Sequence, residues 1–205
     1  MPEFTGTAKL AVRDQLLAAR RHLPLAVIGE RARALADHLL AAPEVRGAAT
    51  VAAYVSVSHE PGTGALLDAL RAAGKRVVLP LLLPDGDLDW AAYAGERGLR
   101  TARRGLLEPD GPALGPAAVA TADAVLVPGL AVGRDGMRLG RGGGSYDRAL
   151  ARVPVGTFTC VLLNSEEVLG SVPHEDHDRS VTAVATELGL TRFGAGAPGG
   201  RSPRG

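Results

Sequence analysis

Apolar positions along the chain change period several times, and each change predicts an element. Across AKLAVRDQLLAARRH (8–22), Leu10, Leu16, Leu17 and Ala18 recur among arginines at helical spacing, which predicts an amphipathic helix. ERARALADHLL (30–40) predicts a second helix, ended by Pro43. TVAAYVSV (50–57) switches to a short β-rich run, followed by the loop SHEPG and a helical segment, TGALLDALRAAGK. RVVLPLLL (76–83) is nearly all apolar, the pattern of a strand covered on both faces. Pro84, Asp85, Gly86 and Asp87 mark a turn before a further strand, LDWAAY.

Residues 94–121 are mostly Gly, Pro and charge, and predict a long irregular excursion. DAVLVPGLAV (123–132) is another buried strand, and SYDRALARV begins a helical pattern. TFTCVLL (157–163) and SVTAVATE (180–187) predict two later strands. From Arg192 onward, RFGAGAPGGRSPRG has nothing to bury and is expected to be disordered. The expectation is therefore one domain over 1–191 and a tail over 192–205. Strands alternating with helices predict an α/β layered domain with a mostly parallel sheet. Ligands of such sheets bind beyond the carboxyl ends of the strands.

Composition narrows the class without naming a function. The 205 residues are 46% hydrophobic and 22% charged, with a net charge of +1, so no overall field argues for nucleic acid or an anionic membrane. Arginine occurs 21 times and lysine only twice, a bias that makes arginine richness uninformative and each lysine notable. The lone cysteine, Cys160, has no disulfide partner and sits in an apolar run, as a small core residue would. The N-terminus lacks a signal-peptide pattern, and no apolar run approaches the roughly 18 residues of a membrane span. A cytoplasmic protein, monomeric and without membrane or nucleic-acid partners, is the expectation.

The densest chemistry lies in RLGRGGGSYDRAL (138–150), between a buried strand and a helix. Without side chains, Gly142, Gly143 and Gly144 let backbone N–H groups close on an anion, and a following helix N-terminus adds partial positive charge. Arg138 and Arg141 can neutralise phosphate oxygens, and Asp147 can hold a hard cation such as Mg²⁺. The competing account is a plain glycine loop capped by Ser145, with Asp147 favourable to the helix dipole. The strand before and the helix after favour phosphate, although the stretch is neither a Walker A sequence nor GxGxxG. Lys9 and Arg13 share one helix face at i, i+4 spacing, either a solvated basic edge or a phosphate contact. Glu60 follows a strand in SHEPG, as a ligand acceptor or a turn residue. PHEDHD (173–178) reads as a solvated acidic loop rather than a metal site.

Together these pieces resemble the 5-formyltetrahydrofolate cyclo-ligase family, also called 5,10-methenyltetrahydrofolate synthetase. The likeness runs from Lys9 to about Glu187. It includes Lys9-x-x-x-Arg13, YVSVSHEPGTGALLDAL, RVVLP, GLLEP, DAVLVPGLAV…DGMRLGRGGGSYDR and VPHEDHD…VATE, in order. It implies a three-layer α/β/α domain like that of the NagB/RpiA/CoA-transferase group. The implied reaction is ATP- and Mg²⁺-dependent cyclisation of 5-formyltetrahydrofolate to 5,10-methenyltetrahydrofolate: ATP phosphorylates the formyl oxygen, N10 attacks, and phosphate leaves. By resemblance, Lys9, Arg13, Arg138, Leu139, Gly140, Arg141, the Gly142–Gly144 amides, Ser145 and Tyr146 hold ATP, and Asp147 ligates Mg²⁺. Val55, Glu60 and Tyr146 contact the folate, and Arg141, Tyr146 and Asp147 carry the catalytic roles.

The family pattern is broken in three places. Ser145 stands where Tyr or Phe is frequent, and Val132-Gly133 where Phe-Asp is common. Thr182 stands where many members carry an aspartate associated with the metal. That threonine makes a second reading worth keeping: a divergent member that binds nucleotide or folate without turnover. A third reading is a sugar-phosphate enzyme of the same broad fold.

Overall fold

The computed structural model describes residues 3–194. Helix α1 spans Glu3–Arg21, α2 spans Leu25–Ala41 and the short α3 spans Pro43–Gly47. Strand β1 (Thr50–Ala52) leads through a loop to α4 (Gly64–Ala72), β2 (Arg76–Leu82) and β3 (Leu88–Ala92). A small hairpin of β4 (Leu99–Thr101) and β5 (Leu107–Pro109) follows. Then come β6 (Ala124–Pro128), β7 (Ala131–Val132), β8 (Arg138–Leu139) and α5 (Ser145–Ala151). The chain closes with β9 (Phe158–Leu162), β10 (Ala183–Thr186) and β11 (Gly189–Arg192).

Seven strands form one sheet in the order β11-β10-β9-β6-β1-β2-β3, parallel except at β3 and β11, the two edges. The period-2 alternation of each central strand assembles two cores. Val51, Val77, Leu79, Leu126, Cys160 and Ala185 face α2, α3 and α4. Their neighbours Ala52, Val78, Val125, Val127, Val161 and Val184 face the opposite layer, with Ala149 and Leu150 of α5. The expected three-layer α/β/α domain is thus observed. Cys160 is fully buried, and burial pushes its thiol well above the ordinary value, consistent with a core residue.

The differences from expectation have local causes. Helix α2 begins at Leu25, directly after Pro24, which is compatible with a helix start but not an interior. The run 50–57 stops being strand after Ala52, where side chains take over its hydrogen bonds. Thr63 Oγ1 donates to Tyr54 O and accepts from Ser56 N–H. The run 123–132 breaks at Gly129, where an added Cβ would lie 2.7 Å from Val161 Cγ2. The excursion 94–121 contains the β4–β5 hairpin, with Arg100 opposite Glu108. The domain extends past the expected boundary at 191: β11 reaches Arg192, which binds Glu44 at 2.6 Å, and Phe193 packs on the second core. The rest of the expected disordered tail, 195–205, lies outside the described residues.

Connections diverge from β1: the chain moves to β2 and β3 on one side, then to β6, β9 and β10 on the other. The crevice beyond the carboxyl ends of β1 and β6 is therefore the switch point where such folds place ligands. Helix α1 reaches this crevice through a buried ion pair. Arg20 Nε and Nη2 donate to Glu167 at 2.6 and 2.8 Å, and Nη2 also donates to Gly129 O at 2.8 Å. Glu167 additionally accepts from the Asn164 N–H and amide, just past β9. Both partners are only 2% exposed, so removing one strands the other charge. Glu167→Ala should lower unfolding free energy by about 3–5 kcal/mol, read as a lower urea midpoint. A loss below about 1 kcal/mol would show that the pair is solvated.

Candidate active site

A cavity of about 850 Å³ opens at this switch point. Every site residue picked from the sequence lines it: Lys9, Arg13, Val55, Glu60, Arg138, Leu139, Gly140, Arg141, Gly142, Gly143, Gly144, Ser145, Tyr146 and Asp147. The elements explain the convergence. Helix α1 supplies Lys9 and Arg13, the segment after β1 supplies Val55 and Glu60, and the stretch from β8 into α5 supplies the remainder.

The glycines are required by the path of the loop. Gly142 and Gly144 have φ of +98° and +67°, in the left-handed region that resists side chains. A Cβ on Gly142 would sit 3.3 Å from the Arg13 guanidinium, and one on Gly140 2.7 Å from Arg138 Nη1. Arg13 Nε donates to Gly140 O at 2.8 Å, which ties helix α1 to the loop. Ser145 is the first residue of α5 rather than its cap. Its hydroxyl donates to Gly86 O at 2.5 Å, fastening the loop to the β2–β3 turn.

Cations and carboxylates are paired around the wall. Arg138, itself buried, donates to Asp147 Oδ1 at 3.0 Å and to Pro128 O at 3.2 Å, and lies 6.0 Å from the Tyr146 ring centre. Asp147 Oδ1 also accepts from Arg179 N–H, while Oδ2 takes no hydrogen bond among the described residues. Arg141 contacts Glu60 Oε1 at 3.1 Å, and Glu60 Oε2 accepts from Val57 N–H at 2.9 Å. Arg13 is a cavity cation bonded to a backbone carbonyl, with no carboxylate partner among the described residues. Burial, reinforced by the Glu60 charge, pushes the hydroxyls of both Tyr54 and Tyr146 up, so they remain neutral.

The acidic stretch 173–178 is solvent-exposed at His174, Asp176 and His177, as expected of a solvated loop, but two of its carboxylates turn to the cavity. Lys9 Nζ donates to Glu175 Oε2 at 2.7 Å and to Asp178 Oδ2 at 2.6 Å, and the lysine is only 5% exposed. Glu175, His177 and Asp178 line the cavity and place one ligand-type atom each within 4.8 Å of one another. Proximity of two carboxylates to the rare lysine was not readable from a separation of about 170 residues. Glu108, in the GLLEP motif, is a further buried lining residue to which the sequence assigned no role, because it stood inside the irregular excursion. Thr182, by contrast, does not line the cavity. It sits at the amino end of β10, where its hydroxyl donates to Thr159 O and accepts from Thr159 N–H.

A sequence model of the 5-formyltetrahydrofolate cyclo-ligase family matches residues 5–187. The chain belongs to that family. It is 40% identical to the 5-formyltetrahydrofolate cyclo-ligase of Mycolicibacterium smegmatis over 87% of this chain and 93% of the relative. It is 32% identical to that of Escherichia coli, over 77% and 88%. Among solved structures, the 5,10-methenyltetrahydrofolate synthetase of Aquifex aeolicus superposes with a TM-score of 0.78 at 25% identity, covering 96% of both chains. The Mycoplasma pneumoniae synthetase shares the fold at a TM-score of 0.70 over 87% of this chain and 98% of its own. Gly133 sits where a side chain would collide with its surroundings: a Cβ there would lie 2.5 Å from Asp135 Oδ1.

The Lys9 contacts make a pH prediction. Partial burial opposes the charge on Lys9 and on Asp178, but their mutual contacts prevail: the Lys9 amine is held above its ordinary value and the Asp178 carboxyl below. Lys9 likewise holds the Glu175 carboxyl down. A depressed carboxylate stabilises above its unfolded pKa of about 4 and loses that effect as pH falls through the folded value. A raised lysine stabilises below about 10.4 and loses the effect above its folded value. The stability gap between wild type and Asp178→Asn should therefore be flat from about pH 5 to about pH 10 and close at lower pH. Urea unfolding across that range checks this; a gap unchanged into acid would mean that the contact is not ionic.

Proposed function

We propose that the protein catalyses the ATP- and Mg²⁺-dependent cyclisation of 5-formyltetrahydrofolate to 5,10-methenyltetrahydrofolate, with release of ADP and phosphate. The observation that carries this reading is the convergence of the family's motifs on one cavity with a glycine-lined, cationic wall.

The residues present fit both groups. Backbone N–H groups over Gly142–Gly144 and the Arg13 guanidinium suit phosphate oxygens, because among the described residues neither is committed to a carboxylate. Lys9 would exchange or share its carboxylates with phosphate. Asp147 Oδ2 suits a hard cation, while Oδ1 stays with Arg138, which keeps the side chain aimed along the wall. ATP supplies the phosphoryl group that turns the formyl oxygen into a good leaving group.

Chemistry of this kind asks the protein for positioning and charge neutralisation rather than a nucleophile. Arg138 and Arg141 hold positive charge beside the glycine loop, and their carboxylate partners fix where it sits. Glu60, buried and bonded by Val57, offers a rigid acceptor to the folate, with Val55 beside it. Tyr146 packs between the two regions as a neutral ring and hydroxyl.

The test is to incubate purified protein with 5-formyltetrahydrofolate, Mg²⁺ and ATP and follow the absorbance of the methenyl product. Product should form and should vanish when either ATP or Mg²⁺ is omitted. Absence of product with nucleotide binding intact by calorimetry would instead support a binding member without turnover. In Arg13→Ala, KM for ATP should rise at least about tenfold, the worth of one charge-assisted contact, with KM for the folate little changed. An unaltered KM for ATP would remove Arg13 from the phosphate site.

A further inference from the structure

The cavity wall is chemically divided. Lys9, Arg13 and Arg138 lie on the side of α1 and β6, and β1 runs between them and β2. Beyond β1 the lining becomes apolar, with Pro80, Leu82, Leu88, Leu106 and Leu107. One carboxylate, Glu108, stands in that apolar part and is 7% exposed.

Among the described residues this carboxylate is satisfied incompletely. Glu108 Oε1 accepts from Leu82 N–H at 2.9 Å. Oε2 receives no hydrogen bond among the described side chains; it faces Arg100 at 3.9 Å, and that arginine's side chain is largely in solvent. Glu60, in the same cavity, has a donor on each oxygen. A neutral oxygen would suffice for one backbone N–H, whereas a buried carboxylate is costly unless several donors reach it. Two oxygens accept up to about four hydrogen bonds, so most of this capacity is open to a ligand.

We propose that Glu108 recognises the 2-amino-4-oxopyrimidine edge of the folate ring system, accepting from its N3–H and 2-amino group. This rests on the folate reading above. That edge presents two adjacent N–H donors, which match the two oxygens of a carboxylate, and the flat bicycle behind it suits apolar walls. Glu108 is then a specificity-determining residue: it selects the pyrimidine edge on one side of β1, while the cations hold phosphate on the other. The β4–β5 hairpin that carries Glu108 becomes part of the substrate site rather than an incidental excursion.

The experiment compares 5-formyltetrahydrofolate with its 2-desamino-2-methyl counterpart, in wild type and in Glu108→Gln. Glutamine keeps an oxygen for Leu82 N–H, so the hairpin retains its anchor. Wild type should favour the natural substrate by about 10- to 100-fold in kcat/KM, the range of one hydrogen bond to a charged group. In Glu108→Gln that preference should fall to within about threefold, with KM for ATP unchanged. Equal use of both substrates by wild type overturns the proposal without any variant. So does a Glu108→Gln enzyme that keeps the preference, or that loses activity on both by one common factor, as a purely structural role requires. If wild type turns over neither compound, the cyclisation reading fails instead, and the same comparison made on calorimetric Kd values still decides Glu108.

Discussion

The bidentate pair between Arg20 and Glu167 is the contact on which the cavity depends. It joins the last turn of α1 to the segment after β9, and through Gly129 O to the end of β6. Helix α1 carries Lys9 and Arg13, so its register over the crevice positions two of the four described Lys and Arg side chains that line the cavity. Buried ion pairs contribute little net stability compared with apolar packing of the same volume, but they define geometry sharply. Here the geometry is a helix laid across the carboxyl ends of parallel strands, and Arg13 confirms the register by bonding Gly140 O.

Charge pairing then shapes what the wall can do. Lys9 is held by Glu175 and Asp178, Arg138 by Asp147, and Arg141 by Glu60. Each pair fixes a long side chain that would otherwise lose conformational entropy on meeting a ligand. Arg13 differs in having only a carbonyl partner among the described residues, which leaves its charge for an incoming anion. The division of the cavity into a cationic region and an apolar one with Glu108 suits the transfer of a phosphoryl group from a polyphosphate to a flat bicyclic substrate.

Much of this was legible in the sequence, for physical reasons. Strands such as 76–82 and 158–162 are apolar on both faces, so their period and length betrayed them, and the glycine run announced itself by composition and by its place between strand and helix. The strand break at Gly129 and the strand at 189–192 were not legible, because a close backbone approach to Val161 and an edge pairing with β10 are tertiary events. The site residues were found where a motif is local. The partnership of Lys9 with Glu175 and Asp178 needed the fold, as did the burial of Glu108 in a stretch that looked like loop. Thr182 carried the opposite lesson. Its departure from the family pattern suggested a weakened site, yet its hydroxyl is spent on Thr159 away from the cavity.

The dependence of the cavity on the pair of Arg20 and Glu167 is measured most directly as nucleotide affinity in an Arg20→Met/Glu167→Leu double variant, titrated by calorimetry. Replacing both partners with apolar groups of similar volume should leave the protein folded, with its circular dichroism spectrum preserved. ATP affinity should fall at least about tenfold, because α1 loses its register, while affinity for 5-formyltetrahydrofolate changes less than about twofold. Unchanged ATP affinity in a folded double variant would contradict that dependence, and would mean that the helix finds its place over the glycine loop without the pair.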